Sequence, residues 1–278
     1  MVTHQGEGAT GTPDIVYLVM AKLFNLYTWF TRSITLGYAN RLIFLTQSYP
    51  ESLWLSRRIR ERIRIVKPGI DVQTFSPLND GLKLRAKLGF NASDKVLLFV
   101  GSLARSHRYK GVDYLIKALH LARNRNSAIK LVIVGKGELV TELKQLAHEL
   151  NLGGDVVFTG LIPHEQLPPY YAMSDIFVLP SISGPESCGF VVLEAMASGK
   201  PAIISDLPGV RDNVKSNETG LKVPPKDSQS LAEAILRLTE DNSLRNRMGH
   251  NARKEIESYT WEKCAEETEA IYREVATS

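Results

Sequence analysis

Residues 176–204 read IFVLPSISGPESCGFVVLEAMASGKPAII. Ile176, Phe177, Val178 and Leu179 form an unbroken apolar run closed by Pro180, and Ala202, Ile203 and Ile204 form another. A strand with one wet face alternates apolar and polar residues, so runs without alternation belong to strands covered on both faces. Between them a loop carrying Ser181, Ser183, Gly184, Pro185 and Gly189 leads into a segment rich in Leu, Ala and Met, which predicts a helix over 190–197. Strand, loop, helix and strand in this order make a βαβ unit, whose two strands run parallel.

Working outward, the same grammar repeats. Short β-branched runs at 96–100, 130–134 and 156–158 alternate with helical patterns at 111–123 and 138–150, and a further strand is expected near 220–223. Three helical segments, 229–239, 243–257 and 261–275, follow without a strand between them. The expected fold class is α/β, a doubly wound parallel sheet. Upstream, 41–45 reads as a strand, 51–60 as a helix and 63–66 as a strand before the Pro68-Gly69 turn. From Ile59 to Ile65 arginine stands at every second position, between Ile59, Glu61, Ile63 and Ile65, which fits a solvated edge strand or an interdomain connector. The surrounding Arg57, Arg58, Arg60, Arg62, Arg64 and Lys67 leave a membrane-facing patch as the alternative. The expected organisation is residues 1–66 as the remnant of a second Rossmann-like domain, 67–258 as the main domain and 259–278 as a helix crossing back toward the first.

The chain has 278 residues, 44% hydrophobic and 23% charged, a globular balance that excludes wholesale disorder. A net charge of +4 is too small an excess to mark a nucleic-acid binder without a concentrated basic face. Cys188 and Cys264 make no disulfide scaffold, and no Cys/His spacing or Asp-x-Asp pair marks a metal site, so a cytoplasmic location is expected. The run 15–30 is interrupted by Lys22 and Asn25 and is shorter than the ~20 residues a bilayer span needs. The preceding residues lack the basic start of a signal peptide. That run reads as a packed helix, or through Tyr17, Phe24, Tyr27, Trp29 and Phe30 as an interfacial or acceptor-binding one, the former placing the protein at the inner face of a membrane.

The chemistry-bearing residues gather in two loops. After the first strand of the main domain come Gly101 to Gly111, with Arg105, Arg108 and Lys110 as candidate phosphate ligands at the sheet's carboxyl edge, where open α/β sheets bind ligands. In the segment 183–197, the amides of Gly189, Phe190 and Val191 open a helix, and a helix start attracts an anion through its unpaired N–H groups and its dipole. Helical side chains lean toward the N-terminus, so Glu194 reaches back toward a group beside that anion, and Glu186 addresses the group beyond it. Two carboxylates flanking a phosphate cradle suit a ligand with hydroxyls on both sides, a nucleotide sugar. Weaker signals surround these. Gly135-Lys136-Gly137 imitates a dinucleotide fingerprint, but Val140 stands at the third glycine position, which favours a tight turn. Cys188 has no general base in its local sequence, His4 is a lone histidine, and Tyr170 and Tyr171 read as packing against the sheet.

Taken together, Pro68-Gly69-Ile70-Asp71, the loop with Lys110, Phe158-Thr159-Gly160, the residues from Asp175 to Pro180 and, above all, Glu186 separated by seven residues from Glu194 in Glu194-Ala195-Met196-Ala197-Ser198-Gly199-Lys200-Pro201 resemble the donor-binding half of family 4 (group 1) glycosyltransferases with the two-domain GT-B fold. The likeness runs from about residue 41 to residue 272. It implies that Glu186 contacts sugar hydroxyls, Glu194 the ribose and Lys110 the diphosphate. Gly189 to Val191 bind phosphates through their amides, and Leu161, just after Gly160, meets the base. It implies a retaining transfer of a hexosyl group from UDP- or GDP-hexose to a lipid or saccharide acceptor, with no metal or other cofactor.

Two departures stand out against that family. Ser102 occupies the place where it commonly has an Arg, which Arg105 or Arg108 is expected to offset. Val2-Thr3-His4 resembles the part of the acceptor domain that carries a cleft histidine, which makes His4 a catalytic candidate beside Glu186 and Lys110 and implies an acceptor domain shortened at its front. The expected partners are then nucleotide sugar, acceptor, a membrane surface and a second chain supplying the absent half. The alternative function is a non-catalytic nucleotide-sugar-binding subunit or an inactive fragment.

Overall fold

The computed structural model describes residue 31, residues 34–183 and residues 186–277. His4 and the run 15–30 lie outside the described residues. The chain divides into two units, one of residues up to Leu42 with Leu55–Arg64, the other of Ile43–Trp54 with Ile65–Ser278. The division differs from a boundary at residue 66. Ile43–Trp54 groups with the larger unit, where Thr46 hydrogen-bonds to Ser187 and Ser48 to Gly209 and Asp212.

Within the smaller unit Arg62 Nη1 donates to the carbonyls of Gly37 and Ala39 at 3.0 and 2.8 Å. Strands β1 (Leu42–Phe44) and β2 (Ile63–Ile65) form a two-stranded sheet. The single helix expected over 51–60 is instead two turns, Ser48–Glu51 and Arg57–Arg60. Ser52 Oγ donates to the Tyr49 carbonyl at 2.6 Å, a local bond that competes with continuing the first turn.

The larger unit runs β3 (Lys95–Val100), α1 (Val112–Arg123), β4 (Ile129–Val134), α2 (Val140–Glu149), β5 (Val156–Gly160), α3 (Pro168–Met173), β6 (Ile176–Leu179), α4 (Phe190–Ala197), β7 (Ala202–Ser205) and β8 (Gly220–Val223). Helices α5 (Ser228–Glu240), α6 (Asn242–Ile256) and α7 (Trp261–Ala276) follow. The six strands lie in the order β5-β4-β3-β6-β7-β8 with every neighbouring pair parallel. This is the α/β doubly wound sheet expected from the apolar runs. Leu97, Leu98, Phe99, Ile133, Val178 and Ile203 are sealed from solvent. Burying side chains of this size contributes about 2 kcal/mol each.

Local chemistry sets the ends of the last three helices. Asp227, Asp241 and Thr260 accept from the backbone N–H groups of Ser230, Leu244 and Lys263, so each helix begins on a side-chain cap. At the amino edge of the sheet Asp175 accepts from the Val96 N–H at 2.8 Å and pairs with Arg85 at 2.6 Å. Nearby, burial pushes the Lys200 ammonium down to about 8 while its Nζ donates to the Ala172 carbonyl at 2.8 Å.

The chain order places the site. It moves outward from β3 through β4 to β5, then returns to β6 on the other flank of β3. The loops after β3 and β6 therefore leave the sheet in opposite directions, and at such a switch point a crevice opens at the carboxyl edge. Among the described residues no helix is long and apolar enough to cross a membrane.

Candidate functional site

The loop after β3 runs from Gly101 through a 3-10 turn, Arg105–Lys110, into α1. Gly111 joins the turn to α1 with φ 65°, and a Cβ there would stand 2.2 Å from the Pro180 carbonyl oxygen. Glycine avoids both the left-handed penalty and the clash. The Ile182 N–H donates to the Tyr109 carbonyl at 2.7 Å, so the loops after β3 and β6 are joined at their backbones.

That junction brings Lys110 to Glu186. Nζ lies 2.7 Å from Oε2, with the two side chains 11% and 12% exposed. Tyr109 beside them has its phenol raised, by burial first and by the Glu186 charge second. Gly189 caps α4 in the left-handed region with φ 70° and ψ 59°, turning the chain so that the first turn of α4 follows the Glu186 loop directly. The first turn of a helix has N–H groups with no partner inside it, the property expected to draw a phosphate here.

The Glu186 loop is held from behind. Thr46 Oγ1 donates to the Ser187 carbonyl at 2.9 Å, and the Asn213 side-chain amide donates to the Cys188 carbonyl. Gly209 approaches so closely that a Cβ would lie 2.4 Å from the Glu186 carbonyl oxygen. Its N–H donates to Ser48 Oγ at 2.8 Å, while the Ser48 N–H donates to Asp212 Oδ2 at 2.7 Å. Cys188 is buried within this arrangement, and burial, helped by Glu186 and Asp212, pushes its thiol up to about 12. A protonated thiol is a poor nucleophile.

Glu194 sits on α4, buried at 6% exposure. Its Oε2 accepts from Tyr171 Oη at 2.5 Å and its Oε1 lies 3.1 Å from His164 Nε2. The Phe75 ring packs edge-on against both partners, at 5.3 Å from His164 and 5.5 Å from Tyr171. Burial pushes the Tyr171 phenol far above its ordinary range, with the Glu194 charge adding to the shift. Tyr171 packs against Phe177 of the sheet, as the sequence predicts, and also fixes the carboxylate.

Beside these side chains opens a cavity of about 950 Å³ at the carboxyl edges of β3, β4 and β5. Backbone-rich turns line it, Gly101 and Ser102 on one side and Gly135 to Glu138 on another, with Leu161 to His164 completing the wall. Gly135 and Gly137 permit this. A Cβ on the first would meet the Gly101 carbonyl oxygen at 1.9 Å, and one on the second the Leu103 carbonyl carbon at 2.0 Å. The turn read in the sequence is thus a site of close backbone approach. Lys110 adjoins the cavity, its Cδ 3.1 Å from where a Gly101 Cβ would stand.

The remaining candidates divide. Leu161, 61% exposed, lines the cavity, and Phe190, 41% exposed, stands at the start of α4. Arg105 is exposed, its backbone N–H donating to Glu138 Oε2 at 3.1 Å. Arg108 turns to α2, where its Nη1 donates to Glu142 Oε1 at 2.7 Å, an exposed pair. Neither Glu186 nor Glu194 lines the cavity directly; Glu194 borders it through His164. Thr46, Ser48, Asp212 and His164 carry no signal in the sequence that marks them as part of the site. Among the described residues no cluster of His, Cys, Asp and Glu stands ready to hold a metal.

The carboxyl edge of a doubly wound sheet thus gathers a cation, two acids and a helix start. Residues 81–255 match the family model of glycosyl transferases group 1, and the chain belongs to that family. It is 32% identical over 217 residues to an uncharacterized glycosyltransferase of Methanocaldococcus jannaschii, covering 77% of this chain and 54% of the relative. The chain thus spans about half the length of the curated relatives it matches. Among solved structures it is similar to a sucrose-phosphate synthase from Thermosynechococcus elongatus, with TM-score 0.76, 31% identity and coverage of 89% of this chain and 61% of that one. It also shares the fold of Anabaena HepE solved with UDP and glucose, with TM-score 0.75, 23% identity and coverage of 88% and 65%.

Proposed function

We propose that this chain binds the donor of a retaining hexosyl transfer, a UDP- or GDP-hexose, and that the acceptor is a lipid or a saccharide. One observation carries the reading, the nearly buried Lys110–Glu186 pair set beside the start of α4. As the bond between sugar and diphosphate breaks, negative charge grows on the departing diphosphate. Lys110 and the amides of Gly189, Phe190 and Val191 are the groups that stabilise it, and they are fixed before the reaction begins. Glu186, held by Lys110 through one oxygen, accepts from hexose hydroxyls with the other, while Glu194 stands on the ribose side behind His164. The base rests near Leu161 in the cavity, and no metal or protein nucleophile enters the scheme. The complex of HepE with UDP and glucose supports a nucleotide in a site of this fold.

Thermal melting with UDP, GDP and their hexose derivatives tests the binding reading. A ligand taken by the folded state alone stabilises it by about 2.7 kcal/mol at a hundredfold excess over its Kd. Selective stabilisation by one nucleoside diphosphate is expected; a flat response to all of them removes the reading. Because the chain spans about half the length of its curated relatives, a second reading is donor binding without transfer. Loss of turnover in Glu186→Gln with donor binding retained supports transfer, and no turnover in any assembly supports the second reading.

A further inference from the structure

Glu194 is withdrawn from solvent and does not line the cavity, whereas His164 both touches Glu194 and lines the cavity. Its side chain is 67% exposed, yet it is bonded on one nitrogen and packed against the Phe75 ring. A carboxylate accepts hydrogen bonds and donates none, so the Nε2–H of His164 donates to Glu194 Oε1. In the neutral ring that choice leaves Nδ1 as an acceptor. The other oxygen of Glu194 takes the Tyr171 phenol, which sets the carboxylate before any ligand arrives.

We propose that His164 is a further donor-binding residue, whose Nδ1 accepts a hydrogen bond from a ribose hydroxyl of the nucleoside diphosphate while Glu194 fixes its tautomer. The proposal deepens the reading given above and rests on it. A hydroxyl donor is the class of group the ring recognises, since an acceptor placed against Nδ1 would meet a lone pair. The ring lines the same cavity as the turns at Gly101-Ser102 and Gly135-Lys136-Gly137.

Calorimetric titration of UDP, GDP and their 2′-deoxy and 3′-deoxy forms, against the unsubstituted chain and His164→Ala, tests it. The expected result is a loss of roughly fivefold in affinity for the ribonucleotide, the size of one neutral hydrogen bond. The deoxy form that lacks the recognised hydroxyl loses less than about twofold by the same substitution. Unaltered ribonucleotide binding by His164→Ala overturns the proposal. An equal loss for the ribonucleotide and both deoxy forms also overturns it, because His164 then acts only through the placement of Glu194. If the unsubstituted chain takes up neither UDP nor GDP, the site reading itself fails and this inference goes with it. Melting of His164→Ala without ligand separates a folding defect from a lost contact. His164→Asn, which keeps polar atoms on a shorter side chain, recovers part of the loss if the hydrogen bond is the cause.

Discussion

Lys110 Nζ and Glu186 Oε2 stand 2.7 Å apart, and the two residues come from loops on opposite sides of the sheet's switch point. Removing one member of so buried a pair leaves the other charge without compensation, which costs about 3 kcal/mol or more. Lys110→Ala is expected to lower unfolding free energy by about 3 kcal/mol, and the double variant Lys110→Ala with Glu186→Gln by less than the sum of the two single variants. Urea unfolding of the three proteins measures it. Strictly additive losses in the double variant count against the pairing.

The Glu186 loop depends on residues 140 and more positions away in sequence. Ser48→Ala removes the acceptor of the Gly209 N–H, which is buried, and such an orphaned donor costs roughly 1–3 kcal/mol. Thr46→Val removes one bond to the Ser187 carbonyl and is expected to cost about 1 kcal/mol. Both variants should weaken nucleotide binding as well, since the loop they release carries Glu186. Denaturation and titration on the same samples check the two effects, and a Ser48→Ala protein as stable as the parent contradicts the clamp.

Two glycines with positive φ separate conformational strain from steric clash. Gly160, at φ 76°, has nothing within 4 Å of the position a Cβ would take, so Gly160→Ala carries about 1 kcal/mol of left-handed strain alone. Gly209, at φ 92°, would thrust its Cβ to 2.4 Å from the Glu186 carbonyl oxygen. Gly209→Ala is therefore expected to cost several times as much and to displace the Glu186 loop. Equal melting temperatures for the two variants would refute the close approach.

The Cys188 thiol, raised from 9.0 to about 12, stays protonated where an unfolded chain's thiol ionises. The unfolded state then releases a proton that the folded state keeps, so this residue's contribution to stability is full below pH 9 and is lost as pH climbs from 9 toward 12. Cys188→Ala should show a shallower fall across that window. At pH 8 iodoacetamide is expected to label the half-buried Cys264 and leave Cys188 intact in the folded chain, read by mass spectrometry. Rapid labelling of Cys188 under native conditions contradicts its burial.

The sheet was legible because its central strands are built on apolar runs, and β3, β4, β6 and β7 fall within a residue of the runs at 96–100, 130–134, 176–179 and 202–204. The break between the turns at Ser48–Glu51 and Arg57–Arg60 was not, since the Arg-rich pattern there carries no sign of the Ser52 bond that competes with continuing the first turn. Within the candidate site, the two loops that carry Lys110 and Glu186 were legible, and the structure pairs these side chains. Arg108 carries the same signal as Lys110, but its place in the turn aims it at Glu142. Thr46 and Ser48 act across more than 140 residues, a relation no local pattern contains. His164 lies in a short polar turn with no periodicity, and its meaning arises from Glu194 arriving 30 positions later.

A structure of the chain with its preferred nucleoside diphosphate tests the central claim most directly. The account predicts the terminal phosphate against Lys110 Nζ and the amides of Gly189, Phe190 and Val191, the ribose toward Glu194 and His164, and the base beside Leu161. A diphosphate held elsewhere, for instance in the smaller cleft between Lys67 and Lys263, with Lys110 and Glu186 still paired and untouched, would contradict it.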